Sequence, residues 1–228
     1  MSAADLADAV ADVPHAQASD KPLRVALAGV PNCGKTALFN ALTGARQKVA
    51  NYAGVTVERK EGSLIAPDGR RVAVLDLPGT YSLRARSPDE AITRDAVLGR
   101  LAGEAAPDVI VAVADATSLR VALRLALELK ATGRPVVLAL NMFDIAQRQG
   151  LEIDVEGLSR DLGVPIVATV ATRRRGIDSL IEAAEAAVTA AHPGVSWSEP
   201  SGAELRALHR EAERLIKAHV APPKRPDT

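Results

Sequence analysis

The run Gly29-Val-Pro-Asn-Cys-Gly34-Lys35-Thr36 constrains this chain more than any other feature. It fits the pattern G-x-x-x-x-G-K-[ST] in the setting that gives the pattern meaning. An apolar run, Leu23 to Ala28, precedes it, and Lys35 to Thr43 follows with Leu38, Phe39 and Leu42 at helical spacing. A buried strand turning straight into a helix opens an α/β unit. Glycines let the backbone of such a loop wrap a phosphate, and the helix N-terminus adds the positive end of its dipole. Lys35 is placed to bridge β- and γ-phosphates, and the Thr36 hydroxyl to sit on Mg²⁺. Cys33 reads as a small residue at a Ser-like position; no His neighbours it in sequence to make it a nucleophile.

The rest of the chain repeats the alternation. Glu58 to Ile65 and Arg71 to Leu75, joined by Pro67-Asp68-Gly69, read as a β-hairpin, with Gln47 to Val57 a loop feeding it. Strands are predicted at Val109 to Ala114, Pro135 to Leu140 and Pro165 to Val170. Helices are predicted at Asp89 to Leu101, Ser118 to Ala131, Asp154 to Leu162 and Ile177 to Ala191. This order means an α/β fold with a mostly parallel sheet of six or seven strands. Residues 1–21 read as a loose leader, 22–191 as the main domain, and 192–228 as a linker with one amphipathic helix, Ala203 to Val220.

Composition narrows the function. Lys plus Arg number 28 and Asp plus Glu 28, so the net charge is zero, which argues against a partner gripped through a nucleic-acid backbone. One cysteine excludes an internal disulfide and a cysteine metal cage. No run reaches the roughly 18 to 20 apolar residues that span a bilayer, and the Asp-rich start is unlike a signal peptide. The chain as given is expected to be soluble. His15, His192, His209 and His219 show no ligand spacing and read as surface residues, and Arg173-Arg174-Arg175 as a solvated basic run.

Three further motifs end predicted strands. Asp76-Leu-Pro-Gly79 places a carboxylate where a Mg²⁺ shell needs charge, and a glycine N–H where a γ-phosphate would arrive. Upstream, Gly54-Val55-Thr56 offers a hydroxyl to the same metal. Asn141-Met142-Phe-Asp144 offers a carboxylate to guanine N1–H and its 2-amino group, which adenine lacks; Asn141 is expected to tie this segment to the phosphate loop. Ala171-Thr172, after the last strand, can turn a backbone N–H to guanine O6. Ligands belong at such carboxyl strand ends.

The stretches Gly29 to Gly44, Val49 to Gly62 and Asp76 to Leu83 resemble the cytosolic GTPase domain of the ferrous iron transport protein B (FeoB) family; Met142, where most GTPases have Lys, fits it too. The resemblance covers roughly Leu23 to Ala190. It implies a Ras-like P-loop NTPase fold in three layers with a short C-terminal helical appendage. It implies GTP and GDP as ligands with Mg²⁺ at Thr36, Thr56 and Asp76. Asn32 matches a residue that in the family helps hold a hydrolysis-accelerating K⁺. Catalytic roles then fall to Lys35, Thr56, Gly79 and Asn32. Nucleotide contacts fall to Gly29, Pro31, Asn32, Cys33, Gly34, Lys35, Thr36, Ala37, Gly54, Val55, Thr56, Asp76, Gly79, Asn141, Met142, Asp144, Ala171 and Thr172. Thr80 stands where some GTPases place a water-orienting Gln, which the family lacks, so slow turnover is implied. The implied setting is the cytoplasmic face of the inner membrane, beside a permease domain on the same or another chain, in regulating or gating ferrous iron uptake. The rival reading is a free-standing GTPase in ribosome or RNA assembly.

Overall fold

The computed structural model describes residues 21–44, 46–190 and 194–222. The chain runs β1 (Leu23–Gly29), α1 (Lys35–Thr43), β2 (Gln47–Asn51), β3 (Glu58–Ile65), β4 (Arg71–Asp76), α2 (Pro88–Leu98) and β5 (Val109–Asp115). It continues through α3 (Leu119–Ala131), β6 (Val136–Asn141), α4 (Phe143–Arg148), β7 (Glu152–Ile153), α5 (Val155–Leu162) and β8 (Ile166–Ala168). A 3-10 turn (Ala171–Arg173), α6 (Ile177–Thr189), α7 (Gly202–His219) and β9 (Val220–Ala221) complete it.

Seven strands form one sheet in the order β2-β3-β4-β1-β5-β6-β8. β4, β1, β5, β6 and β8 are parallel neighbours, while β2 and β3 add an antiparallel edge. Every residue of β6, and all of β5 but Asp115, is buried. Continuous Val, Ile, Leu and Ala runs suit strands covered on both faces. Alternate residues serve opposite layers. Ala26, Ile110, Ala112 and Leu138 pack with Leu123 and Leu129 of α3 and Leu215 of α7. Val25, Leu27, Val111 and Val137 pack on the other side with Leu38 and Phe39 of α1 and Leu180 of α6.

Local chemistry sets the helix bounds. α2 starts one residue earlier than its periodicity predicts, because Ser87 caps the Glu90 N–H at 3.2 Å and Pro88 suits the first helical position. It stops at Leu98, short of the expected Leu101, because Gly99 adopts φ 70°. α7 opens with a reciprocal capping box between Ser201 and Glu204.

Several expectations need correction. Gln47 to Asn51 is not loop but an edge strand pairing with β3 from Gln47↔Gly62 to Asn51↔Glu58. All five of its residues are exposed, so no apolar alternation marks it. The two-residue pair β7 and β9 and the single-turn-and-a-half α4 are too short for periodicity to reveal. His219 is not a free surface residue: its ring is half-wrapped between Asp161, at 2.9 Å, and Asp154, at 3.5 Å. It closes the end of α7 onto α5 and holds the Asp161 carboxyl below the usual range; that of Asp154 is lowered first by the Gly157 N–H and then by His219. His209 is half-exposed, 3.4 Å from Glu213. His15, His192, Ala191 and the leader up to Asp20 lie outside the described residues.

Ala212 and Leu215 of α7 are wholly buried in the same layer as α3. Leu215→Ala should therefore lower the unfolding free energy by about 2–4 kcal/mol in urea titration. A loss below about 1 kcal/mol would mean that α7 is not part of this core.

Candidate nucleotide site

The four motifs emerge at one edge of the sheet because their strands are parallel: Leu27 lies opposite Asp76, Gly29 opposite Val113, and Asp115 opposite Asn141. In the phosphate loop, Asn32 (φ 65°) and Gly34 (φ 81°) take left-handed backbone. Gly34 has no alternative, since a Cβ there would overlap the Asn141 amide. A Cβ on Gly29 would meet the Val113 carbonyl at 2.7 Å. No side chain caps the start of α1 and no acid stands in its first turn. Its first N–H groups and dipole end are thus left facing the loop. Cys33 is buried, and burial pushes its thiol up, away from nucleophilic use.

The segment after β4 crosses this loop. Leu77 N–H donates to the Leu27 carbonyl at 3.1 Å and Thr80 N–H to that of Gly29 at 3.0 Å. Gly79 then lies against Pro31, where a Cβ would sit 3.1 Å from the proline ring. Lys35 Nζ contacts Asp76 Oδ1 at 2.6 Å, both side chains largely buried. The amine suited to phosphate is thus held on the acid suited to a metal. Thr36 and Asn32 are exposed beside them. The hydroxyl and carboxylate oxygens of Thr36 and Asp76 form a hard donor set that fits Mg²⁺.

Thr56 occupies the turn joining β2 to β3, closed by Tyr52 N–H on the Val57 carbonyl at 3.0 Å. Lys60 pairs with Asp76 in register, so residues 59 back to 56 run past the carboxyl edge of β4. Gly54, Val55 and Thr56 are exposed there. Tyr52 is buried beside them, and its hydroxyl has no hydrogen-bond partner. Burial, with Glu104 second, pushes that phenol up to about 12. Arg59 forks onto Glu104 and donates to Glu61 at 2.8 Å, pinning β3 to the loop after α2.

The base end is organised by Asn141, which is buried. Its Nδ2 donates to the Cys33 and Gly34 carbonyls, both at 3.4 Å; its Oδ1 accepts from Ala171 N–H at 3.1 Å and Thr169 Oγ1 at 3.4 Å. Met142 takes φ 57°, with its methyl beside Gly34. Asp144 follows in the first turn of α4. Thr172 is exposed on the 3-10 turn. The basic run beside it is not uniformly solvated: Arg174 donates to the Ala41 carbonyl of α1, and Arg173 stands 3.9 Å from Asp144.

Sequence reasoning missed the groups that hold residues 80–86. Thr80 is wholly buried, with its hydroxyl donating to the Ser82 carbonyl at 2.7 Å. Glu128 of α3 accepts from Ser82 Oγ at 2.7 Å and Leu83 N–H at 2.8 Å, and Arg124 donates to the Tyr81 carbonyl at 2.8 Å. The signal was the i,i+4 Arg124/Glu128 pair on a helix that also carries Arg120 and Lys130, where it looks like ordinary surface pairing. Burial raises the Glu128 carboxyl.

Known proteins share this fold and much of this sequence. The family model described as Ferrous iron transport protein B matches residues 23–184. The Fe(2+) transporter FeoB of Salmonella typhimurium (strain LT2) is 49% identical over 161 residues, which is 70% of this chain and 20% of the relative. That of Escherichia coli (strain K12) is 47% identical over the same share. The chain thus spans about a fifth of the length of these relatives. Among solved structures, the cytosolic domain of T. maritima FeoB in its GMPPNP form superposes with a TM-score of 0.76 at 30% identity, covering 87% of this chain and 99% of that one. The T. maritima FeoB G domain superposes with a TM-score of 0.67 at 42% identity, covering 74% and 100%.

Two predictions follow from the packing. Gly34→Ala should cost about 2–4 kcal/mol in urea unfolding, since it forces a left-handed alanine into the Asn141 amide; an unchanged midpoint would show that the joint has slack. Glu128→Ala strands the Ser82 and Leu83 donors and should cost about 1–3 kcal/mol at neutral pH. Because folding raises the Glu128 pKa, the folded state binds its proton more tightly, so wild-type stability should fall as pH climbs from the ordinary glutamate value through the raised one. Glu128→Gln should lack that slope, and an identical slope would reassign it.

The match over residues 23–184, the sheet order and the shared edge of four motifs together place this chain in the ferrous iron transport protein B family, with the α/β P-loop NTPase fold.

Proposed function

We propose that this chain binds GTP with Mg²⁺ at the carboxyl edge of its sheet and hydrolyses it to GDP and phosphate. The single observation that carries the reading is Asn141, which joins the phosphate loop, the end of β6 and the turn after β8 through four hydrogen bonds. A site built for phosphate alone has no need of that joint; a site that must hold phosphates and a base at fixed separation does.

The roles follow from position. Gly29, Pro31, Asn32, Cys33, Gly34 and Ala37 shape the anion cradle. Lys35 leaves Asp76 for the β- and γ-phosphates as they enter. Thr36, Thr56 and Asp76 hold Mg²⁺, which when bound supplies positive charge to the phosphate oxygens. Gly79 brings its N–H to the γ-phosphate. Gly54 and Val55 carry Thr56 inward from the exposed turn. Met142 lies along the base face, Asp144 reads the base edge, and Ala171 and Thr172 close over it. Asn32, exposed on the loop, is the residue for a K⁺ ion beside the phosphates. Thr80 is turned inward, its hydroxyl spent on the Ser82 carbonyl rather than on a water, which supports slow intrinsic turnover.

In its natural setting we place the cycle at the cytoplasmic face of the inner membrane, regulating or gating ferrous iron uptake through a permease domain on the same or another chain. No helix among the described residues is long and apolar enough to cross a membrane. The ribosome- or RNA-assembly reading is not favoured by the family match or by zero net charge.

Competition titration should show GTP displacing a labelled guanine nucleotide at least about 100-fold better than ATP, because a site built to receive donors leaves its carboxylate unpaired against adenine. Equal displacement would sink the assignment. Phosphate release should be faster in K⁺ than in Na⁺, and Asn32→Ala should erase the difference. An intact K⁺ effect in that variant would move the ion elsewhere.

A further inference from the structure

We propose that Arg148 is a positioning residue for guanine selection: it holds the Asp144 carboxylate in the orientation that reads the base. The inference deepens the GTP reading above and rests on it. Asp144 sits in the first turn of α4 and Arg148 one helical turn later. Arg148 Nη2 donates to Asp144 Oδ2 at 3.1 Å, while Nε of the same guanidinium donates to the Asp144 main-chain carbonyl at 3.2 Å. These two bonds fix the carboxylate relative to its own backbone. Arg173 Nη1, arriving from the turn after β8, stands 3.9 Å from the same Oδ2. Among the described residues, none donates a hydrogen bond to Oδ1. One oxygen is therefore tethered and the other open.

The chemistry of the base decides what such a tether does. Guanine offers two parallel donors, N1–H and the 2-amino group; hypoxanthine offers N1–H alone. Two parallel bonds require the carboxylate plane to be aligned with the base edge, whereas one bond tolerates rotation. A carboxylate oxygen keeps a second acceptor position after taking one donor, so Oδ2 accepts from the 2-amino group without releasing Arg148. The tether removes rotamer freedom before the ligand arrives, and the two-donor base gains most from it. Arg148 itself is 67% exposed, against 16% for Asp144, so the pair adds little to global stability and its effect is local. The forked guanidinium is essential to the two-point hold; a lysine ammonium is a single point of charge.

The experiment compares GDP and inosine diphosphate dissociation constants for the whole chain and for Arg148→Ala and Arg148→Lys, with thermal midpoints measured alongside. Arg148→Ala should weaken GDP by about two- to tenfold, the scale of ordering one side chain on binding, and weaken inosine diphosphate less, so that the preference for guanine narrows. Arg148→Lys should behave like the alanine variant. Midpoints should not move. An unchanged preference overturns the proposal, as does an equal loss for both nucleotides, which would mark a merely structural residue. Tighter GDP binding by Arg148→Ala overturns it in the other direction, making the guanidinium a competitor. If the unaltered chain binds neither nucleotide, the GTP reading fails first and this inference with it.

Discussion

Everything at the carboxyl edge depends on one buried amide. Asn141 has no water to fall back on, so each of its donors and acceptors must find protein. The partners it finds belong to the phosphate loop and to the turn after β8, segments more than 25 residues away on either side in sequence. That requirement fixes the spacing of a phosphate-shaped hollow and a carboxylate. It also explains why Gly34 is glycine: the amide occupies the volume that any side chain would need. The cradle and the base end are thereby parts of one rigid unit.

The rest of the edge is held by contacts that a ligand can replace. Lys35 and Asp76 neutralise each other across 2.6 Å, so neither is buried as a lone charge. A phosphate would offer the lysine a stronger partner, and a divalent cation would do the same for the acid. Glu128 and Arg124 hold residues 81–83 from α3, while Arg59 anchors β3 to the loop beyond α2. Rigid joints therefore sit at the base, and exchangeable ones at the phosphates.

Much of this was legible in the sequence, for identifiable reasons. β1, β5 and β6 are continuous apolar runs, and nothing but a doubly covered strand explains them at that length. The four motifs announce themselves by residue type and by place: glycine where backbones approach closely, and polar residues at the carboxyl ends of apolar strands. β2 was illegible because Gln47 to Asn51 buries nothing and is defined wholly by main-chain pairing. Glu128, His219 and Arg174 were misread or missed for one shared reason. A polar residue's partner is decided by which distant element packs over it, and Ser82, Asp161 and Ala41 lie 46, 58 and 133 residues away.

The unpartnered hydroxyl of Tyr52 has a consequence for how the Thr56 turn behaves. Burying that group without a hydrogen bond forfeits about 1–3 kcal/mol relative to leaving it in water. The side chain is nonetheless buried, at 3% exposure. The tyrosine therefore anchors the turn less firmly, by that amount, than a hydrogen-bonded one would.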